Sequence, residues 1–150
     1  MCGAHAAVRS LLAEMVQKYA RPTVVDMEAG LEHLTRGTAR AVDTMLIVIE
    51  PYYKSMETAA RLYVLARELG VRHVYTIANK SRSTEDEVAL RQFCQQRSLD
   101  LMAVIPEDDT VQQADRVGMA PLDYAAAAPV VTRLREVAQQ LAQQGGNGSP

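Results

Sequence analysis

Thr44-Met45-Leu46-Ile47-Val48-Ile49-Glu50-Pro51 decides the class of this fold. Met45 to Ile49 is an unbroken apolar run that ends in β-branched residues. A run of that kind predicts a strand buried on both faces, as strands of parallel sheets are. Pro51 stops it, because proline brings no N–H to a ladder. The run is far too short to span a bilayer.

Working downstream, Ser55 is placed to cap a helix that reaches Leu69, with Gly70 just past its end. Val74 to Ala78 reads as a strand leading into Asn79-Lys80. Thr84 and Glu87 have capping-box spacing for a helix to about Arg97. Leu101 to Ile105 is a further strand closed by Pro106. Asp109 and Gln112 open a short helix that ends at Gly118, and a last helix runs from about Ala126 to Leu141. Residues 1–143 are read as one domain and 144–150, rich in glycine, as a disordered tail.

Upstream, Val8, Leu11, Leu12, Met15, Val16 and Tyr19 recur at helical spacing, so Ala4 to Tyr19 reads as an amphipathic helix. Val24 to Met27 is a short β-branched run containing Asp26, read as a strand. Gly30 follows in a turn, and Leu31 to Ala41 reads as loop and then helix.

Strands alternating with helices imply an α/β fold: three layers, with a mostly parallel sheet and helices on both faces. In such a sheet the carboxyl ends of the strands share one edge, where ligands bind. Three clusters fall there: Asp26, Asn79-Lys80, and Pro106-Glu107-Asp108.

Composition narrows the function. The chain has 150 residues, 48% of them hydrophobic, with no Trp, so one aliphatic core is expected. A net charge of −2 offers no broad basic field and argues against nucleic acid as the main partner. Cys2 and Cys94 are too few for a disulfide framework and suit a reducing cytoplasm. No membrane segment or apolar leader core is evident, since Arg9 and Glu14 interrupt the N-terminal region. The last helix carries Gln139, Gln140, Gln143 and Gln144 where a membrane-surface helix needs cations.

Each cluster has two readings. Asp26 at a strand end can hold Mg²⁺ through water, or it can merely form a turn. The Gly30 N–H can approach a phosphate. Asn79 can read a purine edge through its amide, with the Lys80 stem over the ring, or the pair can be a turn with a solvated lysine. Asn-Lys-x-Asp would select guanine; here the fourth residue is Arg82, so adenine is the better fit. Pro106-Glu107-Asp108 offers rigid backbone beside the same base, or a strand stop followed by a cap. Cys2 and His5, three apart at the start of the first helix, would give tetrahedral Zn two sulfur and two nitrogen ligands across a two-fold axis; otherwise they are surface groups. Cys94, beside Leu90 and Phe93, reads as core.

These segments resemble a known family. Val24 to Thr38, with Glu32-His33-Leu34-Thr35-Arg36-Gly37-Thr38 as its most specific part, is similar to the switch II region of CooC proteins. Ile49-Glu50-Pro51, Ser55, Ala78-Asn79-Lys80 and Ile105-Pro106 fit the same pattern. CooC proteins are nickel-insertion ATPases of carbon monoxide dehydrogenase maturation, within the MinD/ParA class of P-loop ATPases. The resemblance implies ATP with Mg²⁺ as cofactor. Asp26 would be the catalytic switch carboxylate and Gly30 would contact the γ-phosphate. Asn79, Lys80, Pro106, Glu107 and Asp108 would hold adenine. Cys2 would belong to a metal-binding pair across a homodimer, and carbon monoxide dehydrogenase or a related nickel enzyme would be the client.

The chain departs from the family in one respect: it contains no Gly-x-x-x-x-Gly-Lys-Ser/Thr. That loop cradles the phosphates in every P-loop ATPase. The resemblance therefore implies the C-terminal part of an incomplete P-loop fold, with weak nucleotide binding and no turnover by itself. It also implies a gap flanked by Val24–Met27 and Thr44–Glu50, both with unpaired backbone and apolar surface. A nucleotide-independent module that dimerises or binds a partner through its open sheet is the alternative. A phosphoacceptor receiver domain is disfavoured, because its acidic pair and its strand-ending Ser or Thr have no counterpart.

Overall fold

The computed structural model describes residues 23–26 and 42–145. They run β1 (Thr44–Ile49), α1 (Tyr53–Glu68), β2 (His73–Ser81), α2 (Thr84–Gln96), β3 (Leu101–Pro106), α3 (Asp109–Arg116), α4 (Pro121–Tyr124) and α5 (Pro129–Gly145). The strands form one sheet in the order β1-β2-β3. β2 and β3 are parallel, with Ile77 opposite Ala103 and Ala78 opposite Val104. A helix between successive strands is what parallel pairing demands, since the chain must return to the starting edge. The α/β class expected from the sequence is the one observed.

Two compact units are distinguished. One contains Arg61–Val74 and the described residues before Leu46; the other contains Leu46–Ala60 and everything from Tyr75 onward. The first is anchored by Ala66, Val71 and Val74, all buried. The second carries the main core. There Ile77, Ala103 and Ile105 pack with Ala128, Val130, Val131 and Val137, fringed by Met102, Ala125 and Leu141. Thr76, Ala78 and Val104, which alternate with this set along their strands, are buried as well. Both sheet faces are therefore covered at β2 and β3. α5 and α2 each pack against β3, and α2 buries Leu90 and Cys94. Full burial of an aliphatic side chain of this size stabilises by roughly 1.5–3 kcal/mol.

Three helices end in the same way. At α1, Gly70 takes φ +83° and its N–H donates to Arg67 O, while the Val71 N–H donates to Ala66 O. Gly118 (φ +67°) ends α3 by the same pair of bonds, to Asp115 O and Ala114 O. α2 closes identically on Ser98 (φ +54°), with Ser98 N–H to Gln95 O and Leu99 N–H to Cys94 O. These are Schellman closures, which need one left-handed residue each. Gly70 and Gly118 were legible as stops; Ser98 was not, because serine carries no such signal.

Several expectations are corrected. Thr23–Asp26 forms no strand, and Val24 is 93% exposed; β-branched residues favour strands only where a pleated, half-buried surface receives them. β1 is not buried on both faces: Ile47 and Ile49 are, but Leu46 and Val48 are 38% and 59% exposed. β2 runs on through Asn79, Lys80 and Ser81. α1 begins two residues before Ser55, whose Oγ instead accepts the Glu50 N–H at 3.0 Å. Ser83, not Thr84, caps α2 by accepting the Asp86 N–H. Asp108, not Asp109, caps α3. α4 was not foreseen, and α5 starts at Pro129 rather than about Ala126 and extends to Gly145, beyond the expected end at Leu141.

Candidate functional site at the carboxyl ends of β2 and β3

Between Ala78 and Ser81 β2 advances three residues (81 − 78) while β3 advances two (106 − 104) from Val104 to Pro106. The extra residue makes a bulge at Asn79-Lys80, and Lys80 takes φ +56°. Bulges re-aim side chains and recur beside active sites; a left-handed non-glycine residue there is held by its surroundings. Two bonds hold this one. Asn79 Oδ1 accepts the Lys80 N–H at 3.0 Å. Lys80 Nζ donates to Glu50 Oε1 at 2.8 Å. That bond and the Glu50 charge raise the Lys80 pKa above the ordinary lysine value.

The ends of β2 and β3 are joined beyond the bulge. The Glu107 N–H donates to Ser81 O at 2.9 Å. Arg82 Nε lies 3.5 Å from Glu107 Oε2, and the Arg82 N–H donates to Asp86 Oδ2 at 3.0 Å. Asp108 Oδ1 accepts from the Thr110 hydroxyl at 2.6 Å and the Thr110 N–H at 2.9 Å, and Oδ2 accepts from the Val130 N–H at 3.3 Å. These bonds, the Thr110 hydroxyl first, hold the Asp108 carboxyl below the usual range. They also pin the starts of α3 and α5 to one side chain.

A cavity of about 480 Å³ opens here, lined by Arg82, Pro106, Glu107, Asp108, Asp109 and Pro129. A second of about 590 Å³ shares Arg82, Pro106 and Pro129 and extends over Val104 to Arg133. Arg133 Nε donates to Val104 O at 3.1 Å, which fixes its floor. Both are open depressions of the surface rather than enclosed pockets.

Five of the expected site residues thus meet at one edge: Asn79, Lys80, Pro106, Glu107 and Asp108. Asn79 and Lys80 line neither cavity. Asp26 is exposed and belongs to the other compact unit. Gly30, Cys2 and His5 lie outside the described residues. Sequence reasoning missed Glu50 and Arg82 as parts of the site; a carboxylate closing the apolar run of β1 was the available signal for Glu50. Cys94 is buried, which raises its thiol pKa and leaves it a packing residue. Among the described residues no cluster of His, Cys, Asp and Glu could hold a metal ion. No helix among them is long and apolar enough to cross a membrane.

No protein-family model matches the chain. Among curated proteins it is 42% identical, over 127 residues, to the carbon monoxide dehydrogenase accessory protein CooC of Rhodospirillum rubrum. The match takes in 85% of this chain and 48% of that protein. The chain is a homologue of CooC with the MinD/ParA fold. An uncharacterized ATP-binding protein of Methanocaldococcus jannaschii is 36% identical, over 79% of this chain and 46% of its own. The crystal structure of a ParA family ATPase from Chlorobium tepidum superposes with a TM-score of 0.74 at 23% identity, covering 91% of this chain and 57% of that one. This CooC homologue spans about half the length of the curated relatives it matches. The sequence resemblance and the fold therefore agree.

Proposed function

We propose that the edge formed by β2 and β3 is the adenine-holding part of an ATP site, in a protein that serves carbon monoxide dehydrogenase maturation as CooC does. The bulge at Asn79-Lys80, beside the Pro106–Asp108 segment that ends β3, carries this reading. The residues fit a purine. Asn79 Oδ1 has a second lone pair beyond its bond to the Lys80 N–H, and its amide N–H groups are donors, so the side chain offers the donor and acceptor that an adenine edge needs. Pro106 gives the cavity a rigid apolar wall.

Bound ATP with Mg²⁺ would supply the phosphoryl chemistry. This chain's residues hold and orient the base; Asp26 and Gly30 are assigned to the phosphate and Mg²⁺ side. Without a glycine-rich phosphate loop in the sequence, binding is weak and turnover absent in this chain alone. Nickel is cargo in this reading. Cys2 and His5 would bind Ni or Zn across a homodimer, and the client is carbon monoxide dehydrogenase or a related nickel enzyme.

Titration of the ¹⁵N-labelled protein with Mg-ADP tests the base site. Shifts confined to the amides of Asn79–Ser81 and of Glu107 and Asp108 are expected, with millimolar affinity on the order of 4 kcal/mol. Shifts elsewhere only, or ATP hydrolysis by this chain alone, contradict the reading. Exposed Leu46 and Val48 on β1 favour a second reading, a partner-binding module working through its sheet. A dimer mass by light scattering that ATP leaves unchanged would support it.

A further inference from the structure

We propose that Glu50 is a positioning residue of the base site, orienting Lys80 and through it the bulge that presents Asn79. The inference rests on the adenine reading above and assigns a role to a residue that does not line the cavity.

The argument starts at the end of β1. Glu50 is fixed there from both sides along the chain: its N–H donates to Ser55 Oγ at 3.0 Å, and Pro51 follows with its φ locked by the ring. From this anchored backbone the carboxylate reaches across to β2 and accepts from Lys80 Nζ at 2.8 Å. Lys80 sits in the left-handed region, where a lysine does not stay without compensation. The Asn79 Oδ1 bond supplies one restraint on its backbone. The Glu50 bond supplies the restraint on its side chain.

The charges continue in alternating sign along the edge. Glu50 meets Lys80; Lys80 also senses Glu107 and the Tyr52 phenol; Glu107 meets Arg82. Glu107 and Arg82 line the cavity, whereas Glu50 does not. Two ion pairs thus lie along one edge: Glu50 with Lys80 outside the cavity, and Arg82 with Glu107 in its lining. Removing the Glu50 charge frees the Lys80 side chain and loosens the bulge, while the cavity wall stays intact.

The test uses the chain with Mg-ADP as probe, in wild type, Glu50→Gln, Glu50→Asp, Lys80→Ala and the Glu50→Gln/Lys80→Ala double variant. Glu50→Gln is expected to weaken ADP binding about tenfold, Glu50→Asp to recover part of the loss, and the double variant to bind no more weakly than Lys80→Ala alone. The Lys80 side-chain resonance in Glu50→Gln is expected to titrate at lower pH than in wild type, a signature that general loosening of the fold does not produce. Wild-type binding that Glu50→Gln leaves unchanged, or losses that add in the double variant, overturn this proposal alone. Absence of any ADP-induced shift in the wild type overturns the adenine reading and this proposal with it.

Discussion

The Glu107 N–H donates to the carbonyl oxygen of Ser81 at 2.9 Å, one residue beyond the left-handed Lys80. This bond re-registers the two strands after the extra residue of the bulge, so the bulge is enclosed by paired backbone on both sides. Strain at Lys80 is then separable from its chemistry. Lys80→Gly admits the left-handed conformation freely and removes the ammonium group. The exposed ion pair it deletes stabilises little. The thermal midpoint is expected to rise by a few degrees while ADP binding falls. A lower midpoint by calorimetry with ADP binding unchanged by titration would show that Lys80 is held for stability and not for the ligand.

Ser98 offers a second separable case. It closes α2 where glycine closes α1 and α3, by the same two hydrogen bonds. Ser98→Gly removes the clash of Cβ in the left-handed region and adds unfolded-state freedom, two terms of opposite sign. The net gain is expected to be about 0.5–1 kcal/mol in urea denaturation. Gly118→Ala is the converse. A Cβ there meets nothing within 4 Å, so its cost is conformational only, about 1 kcal/mol.

What was legible in the sequence was set by hydrophobic period and by glycine. β1, α2 and β3 were located to within a residue or so at each end because their apolar patterns span the whole element. The convergence of Asn79-Lys80 with Pro106-Glu107-Asp108 followed from topology, since ends of parallel strands must share an edge. Local choices between neighbours were not legible. Ser83 and Thr84 are equally able caps, and only the extended φ of −149° at Ser83 decides between them. The bulge is hidden for a related reason: asparagine, lysine and serine have weak strand preference, so the strand pattern in the sequence ends at Ala78. α4, Pro121–Tyr124, is shorter than one hydrophobic period of useful length. The exposure of Leu46 and Val48 depends on what lies over β1, which a run of apolar residues does not encode.

Thr76 is fully buried in β2, and its hydroxyl oxygen has no hydrogen-bond partner among the described residues. A hydroxyl taken out of water without compensation is destabilising. Thr76→Val keeps the branched shape and removes the stranded dipole. It is expected to stabilise by about 1 kcal/mol, read from the urea midpoint at constant m-value. A loss of similar size would mean that the hydroxyl is satisfied by a buried water.

Asp108 makes the fold sensitive to acid. Its carboxylate accepts from the Thr110 hydroxyl, the Thr110 N–H and the Val130 N–H, so its folded pKa is lowered below the unfolded value. A group of this kind contributes stability at pH values above its unfolded pKa, about 4, and the contribution disappears as the pH falls through the folded value. Asp108→Asn keeps an acceptor for Thr110 but cannot titrate. At neutral pH it is expected to cost about 1 kcal/mol or less, and Asp108→Ala, which removes the cap, about 0.5–2 kcal/mol. Below pH 4 the gap between the Asn variant and the wild type should narrow, as paired denaturation curves at pH 7 and pH 3 would reveal. A gap of constant size at both pH values would mean that the carboxylate of Asp108 is no better bonded in the folded chain than in the unfolded one. The α3 and α5 starts would then be joined by packing, not by this side chain.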